Sequence, residues 1–296
     1  QENLDFYAKA LGQRFVKKTV NFDDPGTYHL YYGDEAGAPG TIMTFFPWAG
    51  VPKGSVGAGQ VSITHYAVPP GSLAFWRQRL PAHGATLIAE ETVFGEARAV
   101  FEDPHGLVLA LVEAEDTRTP WLADGIGPDE AVRGFHGVTL ALHEAGPTAK
   151  LLEDVFEYQE VAKAPLGTGE RIRYRASHGT HAGIVDLHVD PSLPAGRDGA
   201  GTVHHVAFSV ADRAAQAEVQ ARLRAAGQQV TQQIDRDYFW AIYTRTPGGI
   251  LFEVATAEPG FAVDEPLESL GTALKLPSQH EAKRARIEAV LPVLEV

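Results

Sequence analysis

The order of apolar and polar positions repeats along the chain. Three short apolar segments each carry a His at the same place, and they are Thr64–Val68, Phe135–Thr139 and His204–Phe208. Runs of this length, rich in β-branched and aromatic residues, predict strands. A stretch with helical periodicity follows each of them, and these stretches are Leu73–His83, Thr148–Phe156 and Ala214–Ala226. Further strand-like runs come after each helix, so the pattern predicts a βαβββ unit of roughly 50 to 70 residues.

Particular residues mark the ends of the predicted helices. Gly84 and Gly227 follow two of them, and Gly adopts at low cost the left-handed conformation that ends a helix. Ser72 and Asp212 precede the same two helices and are predicted N-caps. Near the C-terminus, the segment Ser278–Glu281 has the spacing of a capping box, which predicts one more helix.

The beginning of the chain fits the same unit without its first strand. The stretch Glu2–Leu11 predicts the helix, and the three strands that follow are predicted at Phe15–Val20, Tyr28–Tyr32 and Thr41–Phe46. A unit without its opening strand leaves a sheet edge unpaired, which native proteins avoid. We therefore expect the gene to encode roughly 15 to 20 further residues upstream of Gln1 that form a strand carrying a His.

The sequence thus predicts an α+β fold of four βαβββ units, the first lacking its opening strand. We expect two domains with curved, open-barrel-like sheets. A polar stretch between Glu113 and Val132, with Pro120 and Pro128, predicts the link between them. The predicted division is 1–118 for the first two units, 119–262 for the last two, and 263–296 for a C-terminal tail and helix.

His205 and Glu253 are the first candidates for chemistry. Each occupies an apolar strand of the last unit, and alternation along a strand places each on one face with the residues two positions away. Burying an ionisable pair costs free energy unless a cation compensates for it. Two His and one carboxylate on one face suit non-haem Fe(II). The sequence offers only one of these His residues with a matched carboxylate.

The repeat provides an internal comparison for this pair. His65 and His136 occupy the position of His205, but Ala110 and Leu187 occupy the position of Glu253. We therefore interpret His65 and His136 as core or interface histidines that donate to backbone carbonyls. His204 alternates to the other face, so a role in positioning or proton transfer is expected rather than metal binding. His29, among tyrosines, is predicted to be a strand surface residue.

Composition narrows the classes of partner. With 25 Lys and Arg against 38 Asp and Glu, the net charge is −13, and no basic run is present. Nucleic acid and anionic membrane surfaces are therefore not expected as partners. There are no cysteines, which removes disulfides and thiolate metal sites. A cytoplasmic protein is expected, and a homo-oligomer is left open.

Several motifs resemble one known family. They are Asn21–Pro25, Tyr28–Tyr32, Pro39–Thr41, Asp235–Phe239, Thr246–Gly249, Pro259–Phe261 and Asp264–Glu265. Together with the repeated βαβββ units, they resemble the vicinal oxygen chelate superfamily of glyoxalases, bleomycin-resistance proteins and extradiol dioxygenases. The motifs are similar to those of the ring-cleaving branch that contains the hydroquinone 1,2-dioxygenases, and this resemblance runs over nearly the whole chain.

The resemblance implies a function and a set of site residues. It implies a ring-cleaving dioxygenase that inserts both atoms of O2 into a hydroquinone- or catechol-type aromatic with Fe(II), or with Mn(II) or another divalent metal. His205 and Glu253 match two of the family's metal ligands, and the third would lie upstream of Gln1. His204, Arg236 and Tyr243 match the residues that surround the metal and act in catalysis.

Alternatives stay open at this point. A glyoxalase-like isomerase or lyase would use Zn, Ni or Mn at a four-ligand site with two Glu, and a binding or resistance protein would hold a small aromatic without reaction. For Arg236 the alternative is a loop salt bridge with Asp235 or Asp237. For Tyr243 the alternative is a core aromatic.

Overall fold

The computed structural model describes residues 1–179 and 181–296, and it contains the four predicted units. Unit 1 consists of α1 (Glu2–Leu4), continued by a π-helix (Asp5–Ala10), and of β1 (Arg14–Val20), β2 (Tyr28–Gly33) and β3 (Met43–Phe45). Unit 2 consists of β4 (Gln60–Val68), α2 (Leu73–Ala82), β5 (Thr86–Val93), β6 (Glu96–Glu102) and β7 (Val108–Glu113). The α+β fold class is confirmed.

The second half of the chain repeats this order. Unit 3 consists of β8 (Gly134–Leu142), α3 (Gly146–Asp154), β9 (Tyr158–Leu166), β10 (Gly169–Ala176) and β11 (Ile184–Val189). Unit 4 consists of β12 (Val206–Val210), α4 (Arg213–Ala225), β13 (Ile234–Asp235), β14 (Phe239–Arg245) and β15 (Leu251–Pro259). The tail has three 3-10 helices (Phe261–Val263, Leu267–Ser269, Ser278–Lys283) and α5 (Arg284–Glu288). Among the described residues, no helix combines the length and the apolar character needed to cross a membrane.

Both predicted N-cap residues occupy the N-cap position, but only one of them caps its helix with its side chain. The carboxylate of Asp212 accepts the backbone N–H of Ala215 at 2.9 Å, which caps α4 as expected. Ser72 occupies the predicted N-cap position of α2, but it makes no capping hydrogen bond, because its hydroxyl donates to the carbonyl oxygen of Pro69 at 2.6 Å. The distant carboxylate of Glu113 accepts the N–H of Leu73 instead, an interaction that a local motif does not reveal.

Units 2 and 3 share one sheet. Its eight strands lie in the order β5-β6-β7-β4-β8-β11-β10-β9, and the antiparallel pair β4 and β8 joins the two units. Unit 1 forms a separate three-stranded sheet, β1-β2-β3, and unit 4 forms a four-stranded sheet, β12-β15-β14-β13. The pairing between units therefore crosses the boundary predicted between residues 118 and 119.

Each hydrophobic core is built from one half of the chain, whereas the largest sheet combines strands of both halves. One core combines units 1 and 2, with Tyr7, Trp76 and Phe101 fully buried in it. A second combines units 3 and 4, with Leu152 and Phe252 fully buried. Because the cores and the sheets divide the molecule differently, they do not decide which segments fold alone. The division into 1–118, 119–262 and 263–296 stays a prediction.

A network of buried charges lies on the sheet of units 2 and 3. Arg173 donates to Asp186 through Nε at 2.7 Å and through Nη2 at 2.9 Å, and its Nη1 donates to Glu96. His136 lies 3.2 Å from the same Glu96 carboxylate. Burial acts to raise the pKa of Glu96, but His136 and Arg173 outweigh it and hold that pKa at about 2. Opposite charges therefore compensate one another in this part of the sheet.

We predict that this network stabilises the fold. Replacing the fully buried Asp186 by Ala leaves the Arg173 guanidinium without its two-point partner, and loss of one partner of a buried pair costs about 3–5 kcal/mol. The exposed pair Lys163 and Glu170, 2.6 Å apart, gives a control, because an exposed pair contributes about 0–1 kcal/mol. Urea unfolding should separate Asp186→Ala from Glu170→Ala. Equal, small shifts in both variants would contradict a stabilising role.

Candidate metal centre

His205 and Glu253 meet in unit 4. The atoms His205 Nε2 and Glu253 Oε2 lie 3.0 Å apart, and the side chain of Glu253 is almost fully buried. Glu253 lies within β15, next to the parallel strand β12. His205 immediately precedes β12, which begins at Val206 rather than at the predicted His204. The imidazole and the carboxylate thus face the same point, as two ligands of one metal ion require.

His204 lies on the same side of the chain as His205, and the prediction that it faces away was wrong. Its Nδ1 is 2.9 Å from Nδ1 of His205, so one of these nitrogens donates a hydrogen bond to the other. The alternation rule does not apply to these two residues because they precede the strand. If His205 donates, its Nδ1 carries the hydrogen and its Nε2 keeps a free lone pair for a metal.

Tyr243 and Arg236 surround the pair. Tyr243 lies on β14 directly opposite Glu253 on β15, so the two side chains share a face. Burial and the nearby charge of Glu253 raise the pKa of Tyr243, although Arg236 opposes them, so its hydroxyl stays protonated at neutral pH. The guanidinium of Arg236 lies 5.8 Å from the centre of the Tyr243 ring, within the range of a cation–π contact.

Arg236 does not form the loop salt bridges considered as its alternative. Its Nη1 lies 3.8 Å from a carboxylate oxygen of Asp23 in unit 1, and its guanidinium lies 5.2 Å from the ring of Phe22. Asp235 instead accepts the N–H of Asp237, and the Asp237 carboxylate accepts hydrogen bonds from Ser278. Arg236 therefore faces unit 1, and the region between unit 1 and the His205–Glu253 pair of unit 4 is termed the cleft.

Unit 1 supplies the opposite wall of the cleft, which the sequence did not reveal. The prediction that His29 is a surface residue was wrong, because it is 8 % exposed. Its ring lies 4.1 Å from the rings of both Tyr31 and Phe46, and Phe46 in turn lies 6.5 Å from the ring of His204. These side chains therefore lie where unit 1 meets unit 4 and the tail. The alternation of His29 and Tyr31 in β2 was the signal available in the sequence.

The other strand-opening histidines lie elsewhere. His65 Nε2 is 2.8 Å from the hydroxyl oxygen of Thr139, and His136 pairs with Glu96, so each has a side-chain partner rather than the expected backbone carbonyl. Within residues 1–179 and 181–296, no group of three His, Asp or Glu side chains is placed to hold a metal ion. His205 and Glu253 are thus two candidate metal ligands that are not grouped with a third in the described part of the chain.

Comparisons with known proteins place this geometry in a family. The family model described as Glyoxalase/Bleomycin resistance protein/Dioxygenase superfamily matches residues 1–111 and 135–254. The chain is 48% identical over 297 residues to "Putative ring-cleaving dioxygenase MhqO" of Bacillus subtilis (strain 168), with 100% of this chain and 93% of that protein covered. It is 36% identical over 292 residues to "Chlorohydroquinone/hydroquinone 1,2-dioxygenase" of Sphingobium indicum, with 95% and 88% covered.

Solved structures agree with the fold. The crystal structure of a "putative dioxygenase" from Bacillus subtilis superposes with a TM-score of 0.94 at 47% identity, covering 100% of this chain and 94% of that one. Glyoxalase I from Zea mays superposes with a TM-score of 0.64 at 14% identity, covering 86% and 88%, which shows the fold alone. The repeated units, the sequence match over both halves and these relatives together lead to one conclusion: the chain belongs to the glyoxalase, bleomycin resistance protein and dioxygenase superfamily.

Proposed function

We propose that this protein is a ring-cleaving dioxygenase that uses O2 and Fe(II), or Mn(II) or another divalent metal, on a small hydroquinone- or catechol-type aromatic. The observation that carries the proposal is the pair His205 and Glu253, which lie 3.0 Å apart in a cleft with an aromatic opposite wall. The names of the Bacillus and Sphingobium relatives support the reaction class. The identity of the metal and the type of aromatic substrate are part of this proposal.

His205 and Glu253 fit two of the three protein positions of a two-His, one-carboxylate site. Among residues 1–179 and 181–296, no third candidate ligand is grouped with them.

The residues around the metal position have separate tasks. A bound divalent ion would supply a Lewis acid that brings the aromatic oxygen and O2 together. Arg236 provides a permanent positive charge that stabilises negative charge on a substrate oxygen. Tyr243 keeps its proton and can donate a hydrogen bond to a substrate or oxygen atom. With a metal on Nε2 of His205, the hydrogen of that ring would be on Nδ1, which lies 2.9 Å from Nδ1 of His204, so His204 would accept it and hold the ring in place.

Two other functions share this fold, which does not decide between them. A glyoxalase-like isomerase or lyase needs a second Glu in a matched strand, and Ala110 and Leu187 occupy those positions. A non-catalytic protein that binds a small aromatic needs no metal. Iron content and ring-dependent O2 uptake of the full gene product separate these possibilities from a dioxygenase.

We predict that His205→Ala and Glu253→Gln each remove bound iron and O2 uptake. Loss of a residue that only supports a ligand weakens metal binding about 10- to 100-fold, so loss of a ligand should cost at least as much. The full gene product is loaded with Fe(II) without oxygen and desalted, its iron is measured, and O2 uptake with hydroquinone and catechol is recorded. His136→Gln is the control, because His136 opens a strand in unit 3 but pairs with Glu96. Stoichiometric iron in His205→Ala would refute the site.

We predict that Tyr243→Phe lowers kcat by about 100-fold through loss of a hydrogen-bond donor. Because burial and Glu253 raise the pKa of Tyr243, its hydroxyl stays protonated, so the variant should keep the shape of the wild-type pH profile between roughly pH 6 and 9. Tyr158→Phe is the control, since Tyr158 is buried in the core of units 3 and 4. If Tyr243→Phe instead abolished a rise of kcat with pH, Tyr243 would act as a base and this role would be wrong.

A further inference from the structure

The strand β2 places two side chains on the side of unit 4 and three in the core of units 1 and 2. Tyr28, Leu30 and Tyr32 belong to the core of units 1 and 2, as alternation along a strand requires. His29 and Tyr31 lie on the other face. Phe46, whose ring lies 4.1 Å from that of His29, is 6.5 Å from the ring of His204, and Tyr31 packs in one cluster with Tyr238 of unit 4, so this face lies against unit 4.

The imidazole of His29 packs against two aromatic rings, and only one of its two nitrogens has a hydrogen-bond partner among the described residues. Its ring lies between the rings of Tyr31 and Phe46, and the Tyr31 hydroxyl is 2.9 Å from its Nδ1. The second nitrogen, Nε2, is buried and has no hydrogen-bond partner among the described residues. A buried polar atom without a partner costs free energy, so such atoms in a cleft often mark a place where a ligand binds.

The hydrogen on the imidazole can be assigned from its surroundings. Burial and the charges of Glu253 and Tyr243 raise the pKa of Tyr31, so Tyr31 keeps its hydroxyl hydrogen and can donate it to Nδ1 of His29. Burial and the charges of His205 and Arg236 hold the pKa of His29 well below its ordinary value, so the ring is neutral. A neutral ring that accepts at Nδ1 carries its hydrogen on Nε2. His29 therefore offers an unused N–H donor to the cleft.

We propose that His29 Nε2–H binds the oxygen of the substrate ring that does not bind the metal. This rests on the proposed function. His205 and Glu253 belong to one wall of the cleft, and His29 belongs to the other. A ring with oxygens at opposite ends can reach both walls, whereas the two adjacent oxygens of a catechol point to the same wall. The arrangement selects 1,4-dihydroxy aromatics, and Phe46 packs beside the donor.

The test compares three probes with a different number and placement of oxygens: hydroquinone, catechol and phenol. Affinities are measured by calorimetry without oxygen on the iron-loaded full gene product, so that no turnover occurs. His29→Phe keeps a stacked ring and removes both nitrogens. Loss of one neutral hydrogen bond should weaken hydroquinone binding about fivefold and leave phenol binding within about twofold.

Two further variants make the result specific. Tyr32→Phe changes the same strand on its core face, where the hydroxyl donates to Asn3 at 2.9 Å, and it should alter no affinity. His29→Gln keeps an N–H donor and should retain part of the preference for hydroquinone. Equal weakening of all three probes by His29→Phe would make His29 a packing residue only, and it would overturn the inference. An unchanged hydroquinone affinity, or no hydroquinone binding by the wild type, would overturn it as well.

The two proposals can fail separately. If the wild type consumes no O2 but His29→Phe still weakens hydroquinone selectively, the dioxygenase proposal fails and the binding role of His29 holds. If the wild type cleaves rings and His29→Phe does not change the preference among the probes, the binding role fails alone.

Discussion

Burial of the Glu253 carboxylate is the constraint on which the candidate site depends. A carboxylate inside an apolar strand loses its hydration, and this cost must be offset by charge or by hydrogen bonds. In this chain His205 lies 3.0 Å from the carboxylate, and Tyr243 lies opposite it in the strand register. Arg236 adds a positive charge from the loop before β14. These groups surround the position at which a divalent cation would complete the compensation.

The repeated βαβββ unit carries different polar side chains in different copies. In the sheet of units 2 and 3, the polar interior is filled by pairs of fixed charges, with Arg173 held by Asp186 and Glu96. His65 and His136 are engaged in that network and not in a metal site. In unit 4, by contrast, the buried carboxylate of Glu253 pairs with His205, 3.0 Å away, rather than with an Arg. A few side chains therefore distinguish the charge-paired units 2 and 3 from unit 4 with its candidate metal site.

The tail holds unit 1 against unit 4. Lys17 on β1 is fully buried, and its ammonium group lies 2.6 Å from Asp264 and 2.5 Å from Glu265. The same group lies 4.7 Å from the centre of the Tyr238 ring of unit 4. Because a buried ammonium needs these partners, the pairing ties β1, the tail and the loop before β14 together. The aromatic wall of the cleft, with His29 and Tyr31, depends on this arrangement.

The sequence by itself determined the units and most of their elements. Hydrophobic periodicity and Gly positions predicted all four units, because these signals are local and repeat four times. The capping of α4 by Asp212 was equally local. Matched strand positions and the family resemblance singled out His205 and Glu253, which the fold brings together, while their role as metal ligands stays a prediction.

Only the tertiary structure decided how the units pair and which side chains share a cleft. Sheet pairing joins units 2 and 3 across the predicted boundary, and strand pairing between distant segments leaves no mark in a local pattern. His204 turned toward His205 because the strand begins two residues later than expected. His29 is buried where unit 1 meets unit 4 and the tail, and the sequence of one strand does not contain the surfaces that pack against it.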